Sequence, residues 1–390
     1  MSKRWRVAIV QDTTLPMLGQ HGLHTAFRGL PEVEVVAHVD SNTEELAQRM
    51  AQTQALRHYF TCEEMLEREI PDIVVICSRH PADHCALIPL IAQRGCHIYC
   101  DKPLTSDLLE ADEIVRTVEQ YGIRLAMAHP ARHDLAFQTM KRLMHSGAIG
   151  TPLCAIGYGK CDHRGGGEDL VVLGTHILDL MTDFFGAPQS VTARILTQGR
   201  PATRADSTQT VEPIGPVIGD DIEVSFQFAN GMCGMFKSQR GLLQPGQRTP
   251  VMGLQVVGTE GELSLRFDDA ARQPLWIQHS QPDDRDSATT PQQVVLHEDR
   301  YIAGASPLDY ALCGQKNIPS SPWFLEANRF AAWDLIQSIA QNRQPHTNVY
   351  HARQVIEMIQ GVFIAHLTQS AVTFPLSQRR HPLSLDNTTP

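Results

Sequence analysis

Lys102, set between Cys100-Asp101 and Pro103-Leu104, is the residue of this chain best placed to do chemistry. It follows the short strand-like run Cys96 to Cys100, and ligands of open α/β sheets bind at the carboxyl edge of such strands. A partly desolvated ammonium there can donate or relay a proton; the plainer reading is a surface lysine after a strand. A second group, Gly174-Thr175-His176-Ile177-Leu178-Asp179, sets an imidazole and a carboxylate one helical step apart. His176 is a candidate base, against a satisfied core histidine, and Asp179 reads better as a residue that holds its helix. A third group, Gly159 to Leu170, crowds Lys160, Asp162, His163, Arg164, Glu168 and Asp169 around Gly165-Gly166-Gly167 just before the His176 helix. These side chains can hydrogen-bond sugar hydroxyls, and Arg164 can grip a carboxylate or sulfonate. The glycines would let backbone approach a ligand. For any one of these residues, a solvated loop is an equal reading.

The elements that must position these groups fall into two patterns. Through residue 128, short apolar strands (Val7–Val10, Val33–Val39, Ile73–Cys77, His97–Cys100, Arg124–Ala128) alternate with helical stretches (Gln20–Arg28, Thr43–Gln52, Ala82–Gln93, Ser106–Tyr121). Such alternation means a doubly wound parallel sheet with helices on both faces. A second, substrate-binding domain is read over 129–390, and the character changes after Gly150-Thr151-Pro152. After a helix ending at Ser146-Gly147, strands succeed one another: Leu153–Gly159, Ser190–Leu196, Ile222–Phe228, Met232–Ser238, Met252–Val257 and Glu262–Phe267. This predicts an α+β domain with a large open antiparallel sheet. Thr197–Gly219 and Ser280–Gln292 read as exposed loops, and helices Phe324–Asn342 and Ala352–Gln369 follow, which can pack back on the first domain. The polar tail after Pro382 reads as mobile.

Strand, turn, helix and a second strand ending in Asp40 make the nucleotide-binding half of a Rossmann fold. A carboxylate there accepts from the ribose hydroxyls of NAD and repels the extra phosphate of NADP. The glycine fingerprint is missing. Gln11 to Asp40 spans 29 residues, against the usual interval of about 20. The longer turn, with Gln11, Asp12, Thr13, Thr14 and His21, would still offer amides and hydroxyls to the pyrophosphate. Ser41 after the second strand, Ser78, Arg79, His80 and His84 after the third, Asp101 and Lys102, and His129 after the last complete the expected cofactor set. A Rossmann-like sheet that lost its cofactor is the alternative.

Lys plus Arg is 33 against 43 Asp plus Glu, a net charge of −10, which argues against nucleic acid or an anionic membrane as partner. No H-E-x-x-H pair occurs and no metal is expected. The nine cysteines include no C-x-x-C and read as reduced thiols of a cytoplasmic protein. No signal peptide is read at the start, and no apolar run reaches membrane-spanning length.

Taken together, these pieces resemble the glucose–fructose oxidoreductase and inositol dehydrogenase (Gfo/Idh/MocA) family over nearly the whole chain. Gly95-Cys96-His97-Ile98-Tyr99-Cys100-Asp101-Lys102-Pro103-Leu104 resembles its G-K-H-V-x-x-E-K-P-L stretch, with Asp101 for glutamate. Asp72 to Cys77 and on to His84 resembles its third nucleotide-binding strand and helix-start histidine. Ser146 to Pro152 resembles its S-G-x-I-G-x-P junction, and Gly258-Thr259-Glu260-Gly261 its G-T-x-G turn. The resemblance implies a Rossmann domain and an open-sheet domain used for oligomer contacts, hence a homodimer or homotetramer. It also implies a nicotinamide cofactor, a sugar, glycoside or cyclitol substrate, and Lys102 and His176 as catalytic residues. In the family's D-x-G-x-H-x-x-D pattern the first acid falls on Val172, whereas Asp179 is kept. The leading expectation is an NAD-dependent sugar dehydrogenase. A redox-neutral glycoside hydrolase or lyase with bound NAD and a non-catalytic sugar or nucleotide sensor are the alternatives.

Overall fold

The computed structural model describes residues 3–14, 22–210, 212–242, 252–267, 274–280, 290–296, 300–312 and 322–384. His21, most of Ser280–Gln292 and the end of the tail lie outside them. The chain forms two compact units. The first comprises Met1–Thr105, Glu110–Asp134 and Asp299–Arg353; the second comprises Ser106–Leu109, Leu135–Glu298 and Gln354–Pro390.

The first unit is built on six strands: β1 (Trp5–Val10), β2 (Val33–Val39), β3 (Arg57–Tyr59), β4 (Ile73–Ile76), β5 (His97–Cys100) and β6 (Leu125–Met127). All pairs are parallel, in the order β3-β2-β1-β4-β5-β6. Helices α1 (Leu46–Thr53), α2 (Cys62–Glu69), α3 (Pro81–Ala92) and α4 (Leu108–Gln120) connect them. Both faces are covered, so β4 is buried at every position and reads as a continuous apolar run rather than an alternating one. Val7 and Ile9 of β1 pack with Phe27, Tyr99 and with Leu335 and Ile336 of α8 (Pro322–Ala340). Two elements are absent from the sequence expectation: β3 and α2, the latter capped by the Thr61 hydroxyl, which accepts from Glu64 N at 3.2 Å. The expected helix Gln20–Arg28 is, in its described part, a single 3₁₀ turn at Leu23–Thr25.

The second unit opens with α5 (Leu135–His145), β7 (Pro152–Tyr158), α6 (Gly167–Val172) and α7 (Gly174–Phe185). Its other strands are β8 (Ser190–Thr197), β9 (Arg200–Pro201), β10 (Asp221–Gln227), β11 (Cys233–Gln239), β12 (Gly253–Gly258), β13 (Gly261–Arg266), β14 (Leu275–His279) and β15 (Gln292–Gln293). It closes with α9 (Val349–Thr368) and β16 (Val372–Thr373). The ten strands run β15-β14-β13-β12-β7-β11-β10-β8-β16, with β9 on β8. The sheet is mixed rather than purely antiparallel: β7 and β11 pair parallel. Thr197–Gly219, expected as an exposed loop, is folded down. Ala202, Glu212, Ile214, Val217 and Ile218 are buried, and Thr208 bridges Val217.

Two glycines bring α7 onto this sheet. A Cβ at Gly157 would stand 2.4 Å from Ile177 Cγ2, and one at Gly234 would stand 2.7 Å from Phe228 Cε2 and 3.1 Å from Met181 Sδ. The helix therefore seats on β7 and β11 at Ile177 and Met181, which fixes the neighbouring His176.

Candidate active site

The sequence-selected residues of the first unit gather at one place, the carboxyl edge of its parallel sheet. The ladder continues one residue past the strands. Gln11 N donates to Val39 O, Cys77 N to Val10 O and Asp101 N to Ile76 O, each at 2.9 Å; Ala128 N donates to Cys100 O at 2.8 Å. Each loop is thus pinned at its root, and Gln11 to Thr14, Asp40-Ser41, Ser78 to His80, Asp101-Lys102 and His129 all leave from that edge. Lys102 is 1% exposed, and its backbone N donates to Asp101 Oδ1 at 2.8 Å. The Lys102–Pro103 peptide is cis. His84 is buried, its two ring nitrogens facing Leu104 O (3.0 Å) and Ser78 O (2.8 Å). It ties the loop after β4 to the loop after β5, and so holds the segment that carries Lys102.

Asp40 is fully buried. Its Oδ1 accepts from Thr13 N (3.3 Å) and Asn42 N (3.0 Å), and its Oδ2 from the Thr13 hydroxyl (2.6 Å). Arg49 of α1 brings Nε to 3.3 Å of the same Oδ2. Sequence reasoning missed Arg49 because it lies nine residues beyond Asp40, on the helix, not in the tripeptide Ser41-Asn42-Thr43. The donor set around Asp40 tests the fit of a dinucleotide. A carboxylate at the end of β2 in a sheet of this strand order is the acceptor that a ribose diol needs. The residues fit NAD.

In the second unit the loop between β7 and α6 is held from within. Asp162 Oδ1 accepts from Arg164 N (2.8 Å), and its Oδ2 accepts from Arg164 Nη2 (2.8 Å). Glu212 Oε1 stands 3.7 Å from the same guanidinium at Nη1, and Glu212 N donates to Glu168 Oε1 at 3.4 Å. Asp169, fully buried, takes the Ser238 hydroxyl at 2.6 Å and Cys161 N at 3.1 Å on Oδ2, while its Oδ1 has no hydrogen-bond partner. Burial pushes the Asp169 carboxyl up, against the pull of the Ser238 bond. Burial and the Arg164 charge push the Lys160 ammonium down, opposed by Asp169, Glu212 and Asp162. Burial alone would raise Asp162, but the Arg164 bonds outweigh it and the net shift is downward.

The glycines of this loop answer to protein, not ligand. A Cβ at Gly165 would meet Arg240 N at 2.4 Å, one at Gly166 would meet Gly219 O at 2.3 Å, and one at Gly167 would meet Ile218 O at 2.5 Å. His163 points outward, its side chain 76% exposed. His176 and Asp179 on α7 are buried, and so is the apolar Val172 of α6. Glu212 and Ser238 escaped sequence reasoning, the first inside a segment read as an exposed loop, the second at the end of a strand.

By fold, the first unit is a dinucleotide-binding Rossmann domain and the second an open-sheet α+β domain. Comparison with known proteins gives the family. Residues 17–129 match the model of the oxidoreductase family with an NAD-binding Rossmann fold, and residues 137–264 match the Gfo/Idh/MocA C-terminal domain. The chain belongs to the Gfo/Idh/MocA oxidoreductase family, whose cofactor domain is NAD-binding. It is similar to a D-apiose dehydrogenase of Paraburkholderia graminis, with 27% identity over 62% of this chain and 64% of that protein. It is also similar to a scyllo-inositol 2-dehydrogenase (NADP(+)) of Bacillus subtilis, with 28% identity over 29% and 35%. The chain thus matches less than two thirds of the length of these curated relatives. Among solved structures, a levoglucosan dehydrogenase in complex with NADH and levoglucosan superposes with a TM-score of 0.71 at 20% identity, over 95% of this chain and all of the other. No helix among the described residues is long and apolar enough to cross a membrane.

Proposed function

We propose that this protein is an NAD-dependent oxidoreductase acting on a secondary alcohol of a sugar, glycoside or cyclitol. The observation that carries the reading is Lys102, buried at the carboxyl edge of β5 in a sheet of dinucleotide-binding order. The relatives named as apiose and inositol dehydrogenases support it.

Asp40 would hold the adenosine ribose, and the amides and hydroxyls of Thr13 and Thr14 would meet the pyrophosphate. When bound, the nicotinamide supplies the hydride acceptor. The chain's own work is proton management. A ring nitrogen of His176 takes the hydroxyl proton, and Lys102 Nζ donates a hydrogen bond to the oxygen that becomes a carbonyl. The buried Asp101 sits beside Lys102 and holds its backbone. Lys160, Arg164 and Glu168 are assigned to substrate hydroxyls.

The charge of the second unit's loop narrows the substrate. Around Lys160 and Arg164 stand four carboxylates: Asp162, Glu168, Asp169 and Glu212. Arg164 is already matched to Asp162 and Glu212, so an uncharged polyol is favoured over a uronate or sulfonate. The open face of the large sheet, with Cys154, Ile156, Tyr158 and Met235 half-buried or exposed, is assigned to contacts in a homodimer or homotetramer.

A panel of sugars, glycosides and cyclitols with catalytic and with excess NAD tests the reading. NADH in step with substrate consumed supports it. Aglycone release without net NADH makes the protein a redox-neutral hydrolase or lyase. Cofactor and sugar binding with no turnover across the panel makes it a sensor.

A further inference from the structure

We propose that Arg49 is a cofactor-specificity residue: with the donors around Asp40 it forms an anion cradle that Asp40 fills, and that takes the 2′-phosphate of NADP once Asp40 is removed. The inference rests on the NAD reading above and goes beyond it.

The Asp40 carboxylate sits among four donors of three kinds. Two are backbone amides, Thr13 N at 3.3 Å and Asn42 N at 3.0 Å; one is the Thr13 hydroxyl at 2.6 Å; one is the Arg49 guanidinium, Nε at 3.3 Å. Backbone amides, a hydroxyl and a guanidinium converging on one point are what an anionic oxygen cluster needs. Here the anion is built into the chain. Arg49 is held in place from its other side, Nη2 donating to Asn42 O at 2.6 Å, and its side chain is 12% exposed. It is therefore pre-ordered beside the ribose acceptor rather than free to swing away. Its Nε meets Asp40 without hydrogen-bond geometry, so the pair is joined by charge and not by a bidentate fork.

Two consequences follow for the cofactor. A carboxylate has about four lone-pair positions; three hydrogen bonds take three of them here, and the Arg49 charge stands beside Oδ2. The remaining position on Oδ2 can accept the ribose 2′-hydroxyl of NAD. A 2′-phosphate cannot take that place, because it brings negative charge against Asp40. Without the Asp40 carboxylate the same four donors face the phosphate, and Arg49 supplies the full positive charge. Asp40 thus excludes NADP from a site whose other groups, Arg49 foremost, suit its 2′-phosphate.

The test is a set of dissociation constants for NAD+ and NADP+, read by quenching of tryptophan fluorescence, for the whole chain. Its variants are Asp40→Ser, the isosteric Asp40→Asn, and the double Asp40→Ser/Arg49→Gln. Asp40→Ser should bind NADP+ about tenfold tighter than the wild type, the worth of one charge-assisted hydrogen bond, and NAD+ more weakly. The double variant should lose that NADP+ gain while keeping the NAD+ affinity of the single. Asp40→Asn, with unchanged volume, should show the same direction if Asp40→Ser does not fold. Equal NADP+ affinity of single and double variants would overturn the role of Arg49, as would the absence of any gain in both single variants. Wild-type protein that binds neither dinucleotide would remove the NAD reading, and this inference with it; wild-type NAD+ binding together with an NADP+ affinity that does not depend on Arg49 in the Asp40→Ser background removes this inference only.

Discussion

Acid should unfold this protein in a pH range where its carboxylates are still ionised. The cause is a set of buried neutral histidines. Burial pushes His24, His38 and His381 down to about 4; His38 depresses His24 further, and Arg49 and His58 depress His38 against the pull of Asp40. His133 is also pushed down by burial, with His346, Arg300 and Arg132 adding to it against Asp334. The unfolded chain binds these protons near pH 6.5. Folded histidines resist them, so the stability they leave intact above pH 6.5 is lost as pH falls towards 4. At pH 5 the loss is about 2 kcal/mol for each group shifted from about 6.5 to about 4. His24 and His38 both lie in the first unit, so that unit loses about 4 kcal/mol from these two, a large share of a domain's stability, and His133 adds to the loss in the same direction. His38 is the sharpest probe. It is fully buried, and neither ring nitrogen has a hydrogen-bond partner. His38→Leu should therefore be close to neutral at pH 8 and should recover about 2 kcal/mol at pH 5. Urea unfolding followed by far-ultraviolet circular dichroism at stepped pH measures both. A wild-type midpoint unchanged from pH 8 to 5, or a His38→Leu slope equal to the wild type's, would show that buried histidines do not set the acid stability.

Three further outcomes are expected. Gly165→Ala should destabilise by about 1–3 kcal/mol, because its Cβ meets the Arg240 and Gln239 backbone rather than a flexible side chain; thermal unfolding reads it, and no change in midpoint would contradict the packing. Ser238→Ala should cost about 1–3 kcal/mol, since it strips the hydroxyl bond from a buried Asp169 carboxylate and from Gly166 N, and Asp169→Asn in the same background should recover part of it. His84→Ala should lower turnover while leaving NAD affinity within a few-fold of wild type, because the ring joins Ser78 O to Leu104 O beside Lys102; steady-state kinetics and a cofactor titration separate the two.

The parts of this protein legible in its sequence were those set by local pattern. Apolar runs such as Ile73–Ile76 can only be strands covered on both faces, and with the helices between them they fix a Rossmann sheet, its carboxyl edge, and so the company of Asp40, Ser78, Asp101 and Lys102. What depends on distant pairing was not legible. The parallel match of β7 with β11 leaves no local mark on either strand. Glu212 sits in a polar stretch whose burial comes only from packing under the loop of Asp162 and Arg164. Gly165, Gly166 and Gly167 suggest from sequence a backbone that approaches a ligand; what they approach is the protein's own backbone at residues 218–220 and 239–240. Arg49 reaches Asp40 only because α1 turns its side chain back to the end of β2, a geometry that spacing along the chain does not encode.

Lys102, buried at the end of β5, is proposed to work on an alcohol being oxidised by NAD. The most direct test is turnover of Lys102→Ala beside wild type, on the first sugar or cyclitol found to reduce NAD, with NAD affinity measured in parallel. A positioned acid–base group is typically worth about 10²–10⁴ in rate. A loss of that size in kcat is expected, with cofactor affinity nearly unchanged. A Lys102→Ala enzyme that keeps more than about a tenth of wild-type turnover, well outside that range, would contradict it.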